Sequence, residues 1–498
     1  MNRHPRRWLI LVVLCLSTLV LVIDNMALNV AIPTLTEELG ASAQDIQWIL
    51  DSYILVFAGL LLTAGSLSDR FGRRRVMIIG LVLFGAASLA ATLVTTPELL
   101  IAARTLMGVG GALIMPSTLS ILITVFEEDE RRSAMAAWSV VAMVGLVGGP
   151  VAGGLLIAQW WWGAVFLINV PIAILAVVAA LALMPESKGP WRKPDPVGAL
   201  LSTVGMVALV WTIIELPRNG LTHPATLAGA AVTVVALGGF VVWELRTPSP
   251  MVPLGLFRDR NFTGGSVSLT LVEIANGGLL LGATQYLQFV LGYTPAQTGL
   301  AFIPIAVAAL AFNAVGATLG RKMGNRPMAV TGMLLVAAGF GVLTTLSPGD
   351  GYWVMGVALA LMGAGSGLAA PAAIAAIMGA VPAEHAGVGS ALNDTIQQAG
   401  AALGVAAIGS VLSAAFTGAM PQSAPEQARQ SIGDAIAVAG ATGDAGLAYA
   451  ARDAFTTAMA SGFLVGAAGV LAAAVVAVLL LRDRRTEPAP AEPVAAHV

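Results

Sequence analysis

Four ionisable residues sit inside long apolar runs, and each demands a reason. Asp24, Asp51, Arg104 and Glu273 interrupt segments otherwise rich in Leu, Val, Ile, Ala and Gly. If those runs cross a bilayer, an ionised side chain at mid-depth costs ~2.5–3.5 kcal/mol on insertion scales, so it needs a partner, a pocket or a function. Asp24 stands nine residues before Pro33, and Arg104 seven after Pro97. At ~1.5 Å per helical residue, they lie about 13 and 10 Å below the outer ends of their helices and can share a level. Loss of water disfavours a buried carboxylate anion and a nearby cation favours it again, so Asp24 beside Arg104 is a candidate for exchanging a proton with a cationic ligand. The alternative is a static ion pair that fixes the first and fourth helices. Glu273, eleven residues beyond Phe262, reaches ~16 Å into its helix, near mid-membrane, with no cationic side chain in the same run. It is a candidate second proton or substrate site, against a hydrogen-bonded structural glutamate. Asp51 follows Trp48 near the start of its run, which fits an outer vestibule better than coupling.

Two further clusters have spacing that matters. In GLVGGPVAGG, Gly145, Gly149 and Gly153 recur every four residues, with Pro150 and Gly154 among them. On a helix this is a stripe without side chains, along which another helix approaches backbone to backbone, while the proline removes a hydrogen bond and bends the axis. In GSLSDRFGRRR, Gly65 and Gly72 allow a tight connection around Asp69, Arg70 and Arg73. Asp69 is placed to accept hydrogen bonds at the start of the third span, and the arginines to reach acidic partners such as Glu127 to Glu130. Trp138, Phe166, Asn169, Asn276, Tyr286 and Gln288 lie within the runs and are candidates to line a cavity for a flat organic substrate, although aromatics in such helices more often pack or anchor.

The elements that carry these residues follow from composition. Of 498 residues, 57% are apolar and only 10% charged, more apolar content than one water-soluble core can hide. The chain reads as an all-α, polytopic membrane protein, since a span needs ~20 apolar residues and the sequence supplies such runs repeatedly. Fourteen spans are expected, about 8–32, 47–67, 76–95, 99–124, 134–158, 163–184, 197–216, 224–245, 262–290, 297–319, 328–346, 353–380, 387–413 and 454–481. The first run is too long, and lacks the small-residue cleavage pattern, for a signal peptide. An even number puts both termini on one side. Of the 25 Lys and Arg, 21 fall in the loops of that side and three in the loops opposite, which by the positive-inside bias makes it the cytoplasm. The three lysines follow Ser187, Arg192 and Arg321, so a Gly-Lys phosphate loop is missing and no nucleotide cofactor is expected. No GxSxG elbow occurs, and the four histidines lie outside the middles of the spans, which sets enzyme and metal-site readings low. The single Cys15 cannot form an internal disulfide. The near-zero net charge of -2 gives no sign of a nucleic-acid partner.

The halves echo each other. GATLGRKMGNR (Gly316 to Arg326) is a weaker relative of GSLSDRFGRRR (Gly65 to Arg75), eight spans later. A repeat of six helices with an extra pair inserted between the copies accounts for that offset. The expected division is an N-terminal six-helix bundle at 1–196, two inserted helices and a linker at 197–261, and a C-terminal six-helix bundle at 262–481. An external loop at 414–453 holds a short surface helix, and 482–498 is a disordered cytoplasmic tail.

With these motifs in view, the chain resembles the major facilitator superfamily, in particular its fourteen-helix drug:proton antiporter branch. GSLSDRFGRRR resembles the family's loop motif between helices two and three, and LIAARTLMGVGGA the arginine motif of helix four. GLVGGPVAGG resembles the antiporter motif of helix five, and IDNMALNVAIP the first-helix signature of the branch. WGAVFLINVP and NDTIQQAGAALG are similar to segments common there, although Gln397 stands where the branch often has arginine and the second loop motif lacks an Asp equivalent to Asp69. The resemblance implies the major facilitator fold, two six-helix bundles plus two extra helices. It implies that Asp69, Arg70 and Arg73 latch the halves in the outward-facing state. The function it implies is export of hydrophobic, cationic drugs or antibiotics in exchange for protons by alternating access, in the bacterial cytoplasmic membrane. The proton gradient supplies the energy, and the expected partners are small organic substrates, protons and lipid around a monomer. The rivals are a dedicated exporter of one antibiotic or metabolite, and a proton-independent facilitator.

Overall fold

The computed structural model describes residues 5–41, 43–189, 195–220 and 222–482. Apart from Arg482, the tail expected at 482–498 lies outside them. The chain begins with α1 (Arg7–Glu38), α2 (Ala43–Phe71), α3 (Arg73–Ala91), α4 (Pro97–Val125) and α5 (Glu128–Gln159). A broken sixth crossing follows as α6 (Ala164–Leu167) and α7 (Asn169–Leu183). The inserted pair is α8 (Pro196–Asn219) and α9 (Pro224–Arg246). The second half contains α10 (Arg260–Gln285), α11 (Pro295–Ala301), α12 (Ile303–Met323), α13 (Asn325–Leu343), α14 (Tyr352–Ala380), α15 (Ala386–Ala419), α16 (Ile432–Thr442) and α17 (Ala445–Leu480).

Thirteen helical segments among the described residues are long and apolar enough to cross a membrane. The remaining span is α5, whose 32 residues lie beside α1 and run in the same direction. The register shows it: Arg7 binds Glu130 at 2.6 Å, Trp138 Nε1 donates to Thr18 at 2.9 Å, and Gly153 lies against Ala27. The protein is thus an all-helical, multi-pass membrane protein of fourteen crossings. Large apolar side chains on the outer faces, such as Val234 and Val235 on α9, are exposed where lipid replaces water.

Two apolar cores organise these helices. One is built on α1–α5 and α7, the other on α10, α13, α14 and α17. The first core also takes in Phe262, Ile377, Val388, Ala391 and Leu392, so the two bundles are joined at the end where α10 and α15 begin and α2 ends. We call this the latch end. The inserted α8 packs beside α2, with Val207 against Gly59 and Thr63 Oγ1 3.3 Å from Thr203 Oγ1. After α9, the linker is fixed by Glu244, which accepts from the Val252 amide at 3.0 Å and holds Val252 in the first core.

The 414–453 segment is shorter as a loop than expected. α15 continues to Ala419 and α17 begins at Ala445, and the short helix α16 lies between them. Ser431 caps α16 by accepting from the Asp434 amide at 3.1 Å. Helical hydrogen bonding carries α15 and α17 beyond the apolar runs that a hydropathy reading detects, because both extensions are rich in alanine, the strongest helix former.

Candidate functional site

At the latch end the connection from α2 to α3 is a single residue, Gly72, with φ of +115°. A side chain there would be strained, and its Cβ would meet the Glu186 carboxylate at 2.6 Å. This turn brings Arg73 back onto Asp69, donating at 2.9 and 2.7 Å. Asp69 then crosses to the other bundle, accepting from the Gly387 and Val388 amides at 2.9 and 3.0 Å. Those amides are at the start of α15, where unpaired N–H groups and the helix dipole favour an anion. Gly65 closes the contact, since a Cβ on it would lie 2.5 Å from the Ala391 Cβ.

The arginines of this loop have described partners on both of its sides. Arg73 binds Asp69, while the side chains of 128 and 129, two of the acidic partners expected for the arginines, lie outside the described residues. Arg74 and Arg75 approach Glu186, while Glu130 is held by Arg7. The one-residue turn holds Arg74 and Arg75 over the segment after α7. Arg70 lies over the Phe71 ring at 5.0 Å.

Deep in the first bundle, Asp24 and Arg104 form a direct ion pair, each 1% exposed. Asn169 Nδ2 donates to the other Asp24 oxygen at 2.8 Å and lies 3.2 Å from Ser88 Oγ. Arg104 Nε donates to the Ile49 carbonyl at 3.2 Å, and its guanidinium lies over the Tyr53 ring at 4.5 Å. One buried network therefore ties α1, α2, α3, α4 and α7. The planar guanidinium makes this possible, because it bonds at its edge and stacks on its face at once. Asp51 is half-buried on α2, two residues beyond Ile49.

The glycine stripe of α5 faces α1 inside the same bundle. A Cβ at Gly145 would lie 2.7 Å from Val22, at Gly149 2.5 Å from Met26, and at Gly153 2.9 Å from Ala27. Gly154 is half-buried, and Pro150 lies within α5 although its side chain is outside the description. In the second bundle, Glu273 stands one helical turn before Asn276 on α10, and its Cβ lies 2.9 Å from the Cβ position of Gly400 on α15.

The candidate cavity residues are dispersed. Phe166 is wholly buried against Trp162 in the first core, and Trp138 is buried and bonded to Thr18. Tyr286 is buried at the opposite end from the latch, its hydroxyl donating to the Ser347 carbonyl at 3.3 Å. Gln288 is half-buried in the π-helical turn after α10. A small cavity does lie between the bundles, lined by Met135 and Ala136 of α5, Asn313, Gly316 and Gly320 of α12, and Pro371 of α14. None of the six candidates lines it.

One acidic residue escaped attention in the sequence. Asp394, within NDTIQQAGAALG, is 3% exposed; one oxygen accepts from Asn393 at 3.2 Å and the other has no hydrogen-bond partner. The signal was available, since it is the single charged residue in a 34-residue helix long enough to cross the membrane.

Two helical bundles joined through a carboxylate latch, with a buried ion pair at the heart of one, define a polytopic transporter rather than an enzyme. The chain belongs to the Major Facilitator Superfamily, whose model matches residues 14–405. It is 36% identical to the multidrug efflux pump LfrA of Mycolicibacterium smegmatis, over 95% of this chain and 96% of that one. It is 34% identical to the methyl viologen resistance protein SmvA of Salmonella typhimurium, covering 87% and 89%, and 32% identical to the tetracenomycin C resistance and export protein of Streptomyces glaucescens, covering 98% and 94%. Among solved structures, the proton:xylose symporter XylE superposes with a TM-score of 0.61 at 14% identity, covering 97% of each chain. The human organic anion transporter MFSD10 gives 0.61 at 15%, covering 94% of this chain and all of that one. At such identities the likeness is one of fold.

Proposed function

We propose that this protein exports hydrophobic, cationic drugs or antibiotics from bacteria in exchange for protons, by alternating access between its two bundles. The latch carries the reading of mechanism. Two bundles, the second with a core of its own, are held together at one end by hydrogen bonds to a single carboxylate, a glycine contact and a local apolar contact, an arrangement that opens by breaking one confined interface. The curated relatives named above, a multidrug pump and two resistance or export proteins, support the substrate class. The tetracenomycin exporter, aligned along almost the whole chain, favours a second reading, a dedicated exporter of one antibiotic. The latch end is placed in the cytoplasm with both termini, the protein acts as a monomer in the cytoplasmic membrane, and Asp24 and Glu273 are the candidates for carrying proton or substrate charge.

The test is efflux from energised vesicles for one dication, one monocation and one neutral compound, with and without a proton gradient. Gradient-dependent export of the cations is expected; export indifferent to the gradient ends the antiport reading, and export of one compound alone favours the dedicated exporter. Labelling a cysteine at Gln430 in a Cys15→Ala background checks orientation. Reaction from the cytoplasmic face only would reverse the topology.

A further inference from the structure

The antiport reading leaves unused a buried carboxylate with no counter-charge, and its position is informative. Gly387 and Ala391 are the α15 residues that meet Gly65 of α2. Asp394 follows them at the i+7 position, on the same helical stripe, one turn deeper into the membrane. Because α2 and α15 run antiparallel there, that turn is level with Leu61 and Leu62, which belong to the same apolar core as Val388, Ala391 and Leu392. Asp394 therefore stands on the seam between the bundles, just inside the latch. Ser390 Oγ, Asn393 Oδ1 and Thr395 Oγ1 around it also have no hydrogen-bond partner.

The charged groups on the helices against α15 give it no cation. On α2, Asp69 is bound by Arg73, and Arg70 lies over Phe71 at the membrane edge. On α4, Arg104 is bound by Asp24, and on α10 the charged residue within the span, Glu273, is itself acidic. α14 has no charged residue, and Asp45, Asp51, Glu98, Glu215, Arg260, Arg452, Asp453 and the His385 that precedes α15 lie nearer the helix ends. An isolated anion on a closed apolar seam is strongly disfavoured.

We propose that Asp394 is a proton-binding residue of the transport cycle: it holds a proton while the latch is engaged and releases it to the cytoplasm when the seam opens. This rests on the antiport reading and deepens it. Opening toward the cytoplasm wets the carboxylate and discharges the proton on the side where a drug:proton antiporter must deliver it. Re-engagement then requires the charge to be neutralised again, which a cationic substrate accomplishes on the export stroke. An empty, ionised carrier cannot close, and that is the condition for exchange rather than leak.

The test measures the latch directly. Spin labels on cysteines at Phe71 and Glu384, in a Cys15→Ala background in lipid nanodiscs, report the separation of the bundles as pH is raised. The parent protein is expected to shift from the short to the long distance with rising pH, and a dicationic substrate to restore the short one. Asp394→Asn, and Asp394→Leu should the first fail to fold, is expected to lose the shift and stay at the short distance throughout. A variant that opens over the same pH range as the parent overturns the proposal. Vesicle efflux by the parent protein separates the two ideas: export independent of the proton gradient removes antiport, whereas gradient-driven export together with an unaltered titration in Asp394→Asn removes only Asp394.

Discussion

The two bundles repeat one scaffold and differ in charge. α4 and α14 are each 29 residues long with a proline inside, Pro116 and Pro371, at the same distance from the helix start. α3 and α13 are each 19 residues long and each follows a glycine of positive φ, Gly72 at +115° and Gly324 at +92°. Seven residues into α4 stands Arg104; seven residues into α14 stands Leu359, wholly buried. The first bundle thus has a cation at its centre and closes its network on Asp24. The second retains acidic residues, Glu273 and Asp394, with no cation on the helix that corresponds to α4. The difference sets a half pinned by a buried ion pair against a half whose buried carboxylates have no cation on the corresponding helix.

The largest effect comes from making the pinned half like the other. Arg104→Leu leaves Asp24 buried without its cation, and breaking a buried pair in this way costs ~3–5 kcal/mol. The folded yield and the unfolding temperature in detergent are expected to fall sharply, with transport of every substrate lost in proportion. Adding Asp24→Asn removes the orphaned charge and is expected to recover most of the folded protein. An Arg104→Leu variant as stable as its parent means the pair pins nothing. The same double variant sharpens the functional question, because folded protein that still couples export to protons removes Asp24 from the exchange.

Next in size is the close packing of α5 on α1. Gly149→Leu drives a side chain into Met26, whose Cβ lies 2.5 Å from where the new Cβ must go. Overpacking of this kind costs ~1–3 kcal/mol. Transport is expected to fall further than the folded amount, because the helix pair must keep its spacing as the bundle tilts. Normal export by Gly149→Leu would show that the spacing is not needed for movement.

These sites were legible in the sequence to different degrees, for physical reasons. Charges within apolar runs announce themselves, so Asp24 and Arg104 stand out, and proline-based depth counting brings them to one level. A glycine stripe announces close approach but not the partner: nothing in GLVGGPVAGG says that the neighbour is α1. Asp69 is conspicuous in its loop, yet its partners across the seam are backbone amides 318 and 319 residues away, which have no side-chain signature. Aromatic and amide residues mislead for the opposite reason. Phe166 and Tyr286 have the right chemistry for a ligand cavity, but the same ring areas fill the cores, and only packing distinguishes the uses. Asp394 was hidden by its polar neighbour Asn393 and by two glutamines, which make a deep segment read as a helix-end motif.

Smaller again is the latch. Asp69→Asn keeps the shape but removes the anion that holds Arg73 and the two α15 amides; hydrogen bonds to a charged group contribute ~1.5–3 kcal/mol each at most, and part of each survives with the amide. Stability is expected to change little, because neither core is touched. The balance between latched and open forms shifts instead, seen as faster cysteine modification at Ala391 and as slower export. Unchanged modification at that position would show that the glycine contact and the joined apolar core suffice to hold the bundles.

The smallest effect is expected at Glu273, and it bears most directly on the contrast between the halves. Glu273→Gln preserves size and hydrogen-bonding capacity and takes away only the capacity to ionise, so folding is expected to be unaffected. If the second bundle's carboxylates serve mobile charge, export of a dication falls most, a monocation less and a neutral compound least, at equal folded protein in vesicles. The same ranking in the parent after chemical neutralisation of the substrate supports the charge as the cause rather than the shape. If all three compounds are exported at the parent rate, Glu273 is a packing residue beside Gly400, and the exchange in the second bundle falls to Asp394 alone.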